Sequence, residues 1–226
     1  MKVLLLAALA LAGCAPSVVE TAAPGAPVQR GRARFYRFHV LATASPVVIR
    51  RDLALEEIAK MPGAAGKGLK TQGLTLIKHA LATHTSFKTS TGEADTAVSA
   101  WFDDVILEVS VSSTVIFIPR EYPPGTCEYE TVLIHEREHG KYARVHAAAF
   151  ARELEDALSH AGGLPTRSSP IVSTDYAAVA DALKTALGRV VDPVYARYEK
   201  EEVKGQDDLD RPDPYDAVYR RCSGWR

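Results

Sequence analysis

The sequence predicts an α+β fold with a small, mainly antiparallel sheet, one long helix and a helical C-terminal part. Apolar and polar residues alternate in several runs before residue 120, which is typical of half-buried strands. Residues 127–160 contain no proline and are rich in Ala, Leu, Glu and Arg, which favours a single long helix. A second helical stretch follows between about residues 174 and 204. The strands therefore come first along the chain and the helices after them.

Four runs of the N-terminal half are expected to form the strands. The last two runs are separated only by Ser112-Ser113, so they are expected to form a hairpin that turns at these serines. Each of the other two favours a separate strand because its apolar residues alternate with polar ones. The predicted strands cover residues 35–43, 74–87, 105–111 and 114–118.

The helices are predicted from their boundary residues. Ser45 and Pro46 are typical of an N-cap followed by proline at the first helical position, which predicts a helix that ends near residue 61. Thr126 is the predicted N-cap of the long helix. Pro193 is expected either to kink the C-terminal helical stretch or to begin a new helix there.

The long helix carries the motif His-Glu-x-x-His, formed by His135, Glu136 and His139. Residues four apart lie on one face of a helix, so both imidazoles are expected to point to the same position. Glu136 lies between them and can reach a water held there. This combination supplies two ligands and the general base in zinc hydrolases. The motif therefore predicts a catalytic zinc site, and the alternative is an amphipathic helix with two ordinary histidines.

A catalytic zinc also needs a third protein ligand and an open position for water. His146 is one candidate, but on a straight helix it lies about 10 Å along the axis from His139. An acid on the next helical stretch is a better candidate, because antiparallel packing of the two helices would bring it back to the motif.

Several segments resemble a family of bacterial proteins described as predicted secreted zinc-dependent proteases. The resemblance covers about residues 34–206, and its specific part is the His-Glu-x-x-His motif. Residues 116–119, Ile-Phe-Ile-Pro, resemble a family strand that ends in proline and is followed by a Cys. Residues 198–206, Tyr-Glu-Lys-Glu-Glu-Val-Lys-Gly-Gln, resemble the family's downstream Tyr-acid motif, where Asp is more usual. The resemblance implies a zincin-like fold, Zn²⁺ as the cofactor and Glu199 as the third ligand.

Residues 1–13 have the features of a lipoprotein signal peptide. Lys2 precedes an apolar run that is too short to span a bilayer. Residues 11–14, Leu-Ala-Gly-Cys, match a bacterial lipobox, in which the thiol of Cys14 accepts a diacylglyceryl group. The residue after Cys14 is Ala15 and not Asp, which favours the outer membrane, with the protein facing the periplasm. The alternative is an ordinary secretory signal.

The rest of the chain is expected to consist of a tether and one domain. Residues 14–31 are rich in Ala, Pro, Gly and Val, which predicts a flexible tether. Residues 32–226 are enough to bury a single core. The formal net charge of -1 gives no basic surplus, so nucleic-acid binding is not predicted. There is also no second apolar run long enough for a transmembrane helix.

Two cysteines remain if Cys14 carries lipid. Cys127 and Cys222 are expected to form a disulfide in an oxidising periplasm, and the other interpretation is two buried free thiols. The disulfide would tie the C-terminal tail to the start of the motif helix. It would also bring Asp216 near the motif, which makes this residue an alternative third ligand.

The sequence thus predicts a zinc-dependent hydrolase of the cell envelope, and a metallopeptidase acting on a peptide or protein is the first interpretation. Zinc would lower the pKa of its bound water to about 7, and Glu136 would take the proton. The oxyanion would be stabilised by a tyrosine, for which the candidates are Tyr142, Tyr195 and Tyr198. Two other functions stay open, a zinc hydrolase of peptidoglycan crosslinks and a non-catalytic envelope lipoprotein.

Overall fold

The computed structural model describes residues 30–32, 36–64, 71–91, 96–211, 222 and 225. The predicted signal peptide with Cys14, most of the predicted tether, and Asp216 lie outside the described residues. The described residues form an α+β fold, as predicted. Its strands are β1 (Arg30–Arg32), β2 (Arg37–Ala44), β3 (Val47–Arg50), β4 (Leu74–Thr91), β5 (Val98–Phe117) and β6 (Ile171–Ser173). Its helices are α1 (Leu55–Ile58), α2 (Cys127–His160) and α3 (Tyr176–Leu209).

The six strands form one mixed sheet around β5. β4 runs antiparallel to β5 along one edge, from Leu74 opposite Phe117 to Thr91 opposite Val98. The other edge of β5 pairs with β2 and β3, which are parallel to it, and with β6, which is antiparallel. The prediction of a mainly antiparallel sheet is therefore only partly right, because β2 and β3 both pair with β5 in parallel. The parallel pairs arise because β4 runs back along the far edge of β5, so that β5 points the same way as β2 and β3.

The helix predicted after Ser45 and Pro46 is wrong, because the chain forms β3 at this position. Residues 47–49 are Val-Val-Ile, and such β-branched side chains fit a pleated strand better than a helix. Pro46 precedes the first residue of β3, where a proline removes no ladder hydrogen bond. Only the four-residue helix α1 follows.

The hairpin predicted at Ser112-Ser113 is also wrong, because β5 continues through both serines. Opposite them, Lys78 pairs with Ser113 and His79 pairs with Val111, so Ser112 is the extra residue of a β-bulge. The Ser112 hydroxyl donates to the carbonyl of Lys78 at 3.2 Å. The two serines therefore bend a long strand instead of reversing the chain.

The two long helices pack against one face of the sheet. α2 has the predicted bounds, and the hydroxyl of its N-cap Thr126 accepts a hydrogen bond from the amide of Tyr129 at 3.3 Å. α3 begins after its N-cap Asp175 and continues through Pro193 to Leu209, so no new helix begins at the proline. The main core lies between the sheet and these helices, and its largest buried members include Phe38, Phe102, Leu107, Phe150, Leu154 and Leu158.

A glycine lets the motif-bearing part of α2 lie close to the sheet. A Cβ atom on Gly140 would lie 3.2 Å from Cγ2 of Thr114 on β5, which is tighter than ordinary contact. Ala143 and Ala147 follow on α2 and are also buried. These small residues bring the helix backbone near the first residues of β4, so that both elements contribute to the site.

The structure contains the disulfide predicted between Cys127 and Cys222, with the two Cα atoms 5.5 Å apart. It joins positions 95 residues apart, so a chain-entropy argument gives about 4–5 kcal/mol of stabilisation. We expect Cys222→Ser to lower the unfolding free energy by roughly 2–5 kcal/mol, measured by denaturant titration under oxidising conditions.

Cys127→Ser provides the matched comparison, because either change breaks the same bond. The double variant should have about the same unfolding midpoint as each single variant. Unchanged midpoints in both single variants would contradict the prediction.

Candidate metal centre

His135 and His139 lie one turn apart on α2 and point their Nε2 atoms to the same position. These two nitrogens are 3.0 Å apart, and each lies 3.1 Å from Oδ1 of Asp210. The three atoms thus form a nearly equilateral triangle. The side chains of the histidines are 13% and 11% exposed and that of Asp210 is 44% exposed, so the triangle is sheltered but open on one side.

The protonation of the two rings decides how this triangle is held without a metal. If one Nε2 carries a proton, the other Nε2 and the Asp210 oxygen face each other as two acceptors. If both carry protons, both N–H groups can donate to Oδ1 of Asp210. A cation offers a further arrangement, since all three atoms can then act as lone-pair donors. A tetrahedral ion with ligands at about 2.0–2.1 Å separates them by about 3.3 Å, so the triangle needs to widen by only about 0.3 Å. These three residues can therefore hold a metal ion.

Asp210 occupies the position for which the sequence and the resemblance suggested other residues. Glu199 is exposed on α3 and hydrogen-bonds with Tyr195. It lies 11 positions before Asp210, which is about 16 Å along a helix axis. The structure therefore does not bring Glu199 to the two histidines.

His146, the other candidate on α2, is also turned away from the triangle. Its Nδ1 lies 2.7 Å from Oε2 of Glu202. Its ring stacks against that of Tyr198, with centroids 4.8 Å apart. His146 is thus part of a neighbouring network, and Asp216 lies outside the described residues.

The charges at the triangle favour an ionised carboxylate beside the two imidazoles. Burial raises the pKa of Asp210, but hydrogen bonds and the charges of His135 and His139 outweigh it and hold the pKa well below its usual range. Burial lowers the pKa of His139, yet hydrogen bonds with Asp210 and Gln206 and the charges of Glu136 and Asp210 raise it overall. The site therefore attracts positive charge.

Glu136 projects from the same turn of α2 towards the start of β4. It is only 4% exposed, and its Oε2 lies 2.8 Å from the hydroxyl of Thr75. That hydroxyl also lies 3.0 Å from the backbone carbonyl of Glu136. Gly73 also lies directly against Glu136. A Cβ atom at position 73 would be 2.8 Å from Oε1 of Glu136 and would overlap the side chain of Val132. Gly73 and Thr75, at the start of β4, thus fix the position of this carboxylate.

Gly73→Ala is expected to displace Glu136 and to destabilise the protein by about 1–3 kcal/mol, as overpacking usually does. The added methyl group has no space, since both Val132 and Glu136 lie closer than real side-chain contacts allow. The measurements are the unfolding midpoint and the rate of any hydrolysis that the protein performs.

Gly162→Ala is the matched control, because nothing lies within 4 Å of a Cβ atom at that position. The expectation fails if both variants behave like the unaltered protein.

A buried polar network adjoins the triangle on the side of His139. Nδ1 of His139 lies 2.6 Å from Oε1 of Gln206, and Nε2 of Gln206 donates to Oε1 of Glu202 at 2.8 Å. Glu202 also lies 3.3 Å from Nε2 of His79, which comes from β4. Burial raises the pKa of Glu202, but hydrogen bonds from His79, Gln206 and His146 lower it overall. The network therefore contains an ionised carboxylate that is only 7% exposed.

The three tyrosines considered for oxyanion stabilisation have different surroundings. Tyr198 is buried, and its hydroxyl lies 2.7 Å from Nδ1 of His79. Burial and then the charge of Glu202 raise the pKa of Tyr198 well above its usual value. Tyr195 hydrogen-bonds with Glu199. Tyr142 is partly exposed and donates to the carbonyl of Glu201 at 3.3 Å. Tyr198 thus belongs to the buried network, and the choice of an oxyanion donor stays open.

Comparison with known proteins gives no match to a protein-family model, to a curated protein or to a solved structure. The resemblance to secreted zinc-dependent proteases therefore stays a prediction from the quoted segments.

Sequence reasoning missed Asp210 and Gln206 because it ended the last long helix near residue 204, and it gave no role to Glu202 because it chose Glu199 as the acid of that segment. A signal for them exists in the spacing. From Tyr198 onwards, α3 places a polar residue every four positions, and such residues share one face of a helix. Taken together with an antiparallel α2, this spacing would have pointed to the acid at position 210.

Proposed function

We propose that this protein is a zinc-dependent hydrolase, and specifically a metallopeptidase of the bacterial cell envelope. The observation that carries the proposal is the convergence of His135, His139 and Asp210, with mutual distances of 3.0–3.1 Å, next to Glu136 on the same helical turn. Two imidazoles and one carboxylate are a common ligand set of catalytic zinc, which keeps its fourth position for water. The proposal includes a zincin-like arrangement of helix and sheet.

The residues divide the chemistry between them. His135, His139 and Asp210 would hold the ion, which supplies a water of lowered pKa and polarises the scissile carbonyl. Glu136 would act as the general base, taking a proton from the attacking water and passing it to the leaving amine. Thr75 helps to orient Glu136 through its hydrogen bond to one carboxylate oxygen. The negative charge of Glu136 also favours the positively charged centre.

A peptide substrate is favoured by the position of β4. Among the described strands, β4 pairs with β5 alone, so no described strand pairs with the other edge of this 18-residue strand. Its second residue, Thr75, contacts Glu136. An extended peptide can add to such an edge through main-chain hydrogen bonds, which would carry its backbone past the metal centre.

The envelope location rests on the sequence and on the disulfide. The predicted lipidation of Cys14 would anchor the chain in a membrane. The disulfide between Cys127 and Cys222 favours an oxidising compartment, where such bonds persist. Among the described residues, no helix has the length and apolar character needed to cross a bilayer.

The proposal is tested by measuring bound metal and hydrolysis in the same purified protein. We expect one zinc per chain after dialysis against Zn²⁺, loss of that zinc in His135→Ala and His139→Ala, and cleavage of a peptide mixture by the zinc-loaded protein. Cleavage of purified sacculi without cleavage of peptides would favour a peptidoglycan hydrolase. A folded protein that binds no zinc would refute both and leave the non-catalytic lipoprotein.

A further inference from the structure

The polar network beside His139 has a single consistent arrangement of protons, and Gln206 determines it. Oε1 of Gln206 faces Nδ1 of His139 at 2.6 Å. Its Nε2 faces two acceptors, the backbone carbonyl of His139 at 3.3 Å and Oε1 of Glu202 at 2.8 Å. The reverse orientation of the amide would place its oxygen against both acceptors. The amide orientation is therefore fixed, and Nδ1 of His139 must carry the proton.

Glu202 holds Gln206 in this orientation from a buried position. One oxygen of its carboxylate accepts hydrogen bonds from Nε2 of Gln206 and Nε2 of His79. The other oxygen accepts a hydrogen bond from Nδ1 of His146. The Nδ1 of His79 then accepts from the hydroxyl of Tyr198. The network joins α2, α3 and β4, so the carboxylate is restrained from three elements.

We infer that Gln206 and Glu202 are positioning residues that fix the tautomer of His139, so that its Nε2 offers a lone pair to the metal. This inference rests on the proposed function. A neutral imidazole that ligates through one nitrogen is oriented by the hydrogen bond of the other. Here a neutral amide stands between the ligand and the buried carboxylate, which orients the ring without a second negative charge in contact with it.

Two variants test the assignment. Gln206→Met keeps much of the side-chain volume but removes both hydrogen-bonding ends, and Glu202→Gln removes the charge that holds the amide. Glu199→Gln is the matched control, since it makes the second change at an exposed position of the same helix. Nitrogen-15 NMR of the metal-free protein, recorded at a pH high enough to make His139 neutral, reports which ring nitrogen of His139 carries the proton. Titration with Zn²⁺ reports affinity.

We expect the Nδ1–H tautomer in the unaltered protein and in Glu199→Gln. In Gln206→Met we expect a mixture of tautomers and a zinc affinity about 10–100-fold weaker. Glu202→Gln should change the tautomer in the same direction. If Glu202→Gln does not fold, Gln206→Met alone tests the inference, because Gln206 is less buried than Glu202.

The inference is overturned if the unaltered protein has its proton on Nε2 of His139, or if Gln206→Met keeps both the tautomer and the affinity. Failure of the proposed function has a different signature. The unaltered protein would then bind no Zn²⁺, while the NMR spectra would still show whether Gln206 sets the tautomer.

Discussion

Glu136→Gln is expected to abolish hydrolysis while the protein still binds one zinc ion. The amide has nearly the shape of the carboxylate but cannot accept a proton from water, and loss of a general base lowers rates by about 10²–10⁴-fold. Zinc stays bound because Glu136 is not one of the three residues that converge on the ion. The measurements are the turnover rate with a cleaved peptide and the zinc content of the same sample.

Glu138→Gln is the matched control for this variant. Glu138 lies two residues further along α2, where its side chain is half exposed and pairs with Lys141 at 3.1 Å. An exposed pair of this kind contributes little to stability, so activity and zinc content should both be unchanged. Full activity in Glu136→Gln would exclude the proposed role of this carboxylate.

The helix that carries the motif could be predicted from the sequence, because its signals are local. Thr126 caps it, no proline interrupts it, and Ala and Glu favour helix throughout, so its bounds agree with the structure. The disulfide could also be predicted, since Cys127 and Cys222 are the two cysteines that remain when Cys14 is assigned to the lipobox. Both inferences needed no knowledge of how distant segments pair.

The errors have the opposite cause, because each depends on partners far away in the chain. Ser45 and Pro46 resemble a helix start, but Val47 pairs with Thr114 on the long strand β5 and continues the ladder begun by β2. Ser112 resembles a turn residue, but the pairing of Lys78 and His79 across from it makes it a bulge. At both positions a local signal for a helix start or a turn was overridden by strand pairing, which at residues 47–49 also suits the β-branched side chains.

The metal centre depends on the register between α2 and α3, which the sequence does not specify directly. Three contacts show this register. The step from Glu202 to Gln206 covers four residues of α3, whereas the step from His146 to His139 covers seven residues of α2. The ring of Phe150 stacks on Tyr198 with centroids 4.3 Å apart, His146 contacts Glu202, and His139 contacts Gln206. The next turn of the ladder brings Asp210 to His135. The aromatic stack therefore helps to set where the last ligand arrives.

Asp210→Asn is expected to weaken zinc binding by more than about 100-fold, because changes to residues that only orient a ligand already cost about 10–100-fold. The amide keeps the size of the side chain but removes the negative charge that faces His135 and His139. Glu199→Gln makes the equivalent change at the acid suggested by the resemblance and should leave the affinity unchanged. Competition with a zinc chelator measures both variants on one scale.

The pair of variants discriminates between two sources of the third ligand. If Glu199→Gln weakens binding and Asp210→Asn does not, the last turns of α3 must rearrange when the ion binds. If both bind zinc normally, the ion is held by a group outside the described residues, and Asp216 becomes the next position to change. Loss in Asp210→Asn alone would mean that the third ligand comes from the end of α3.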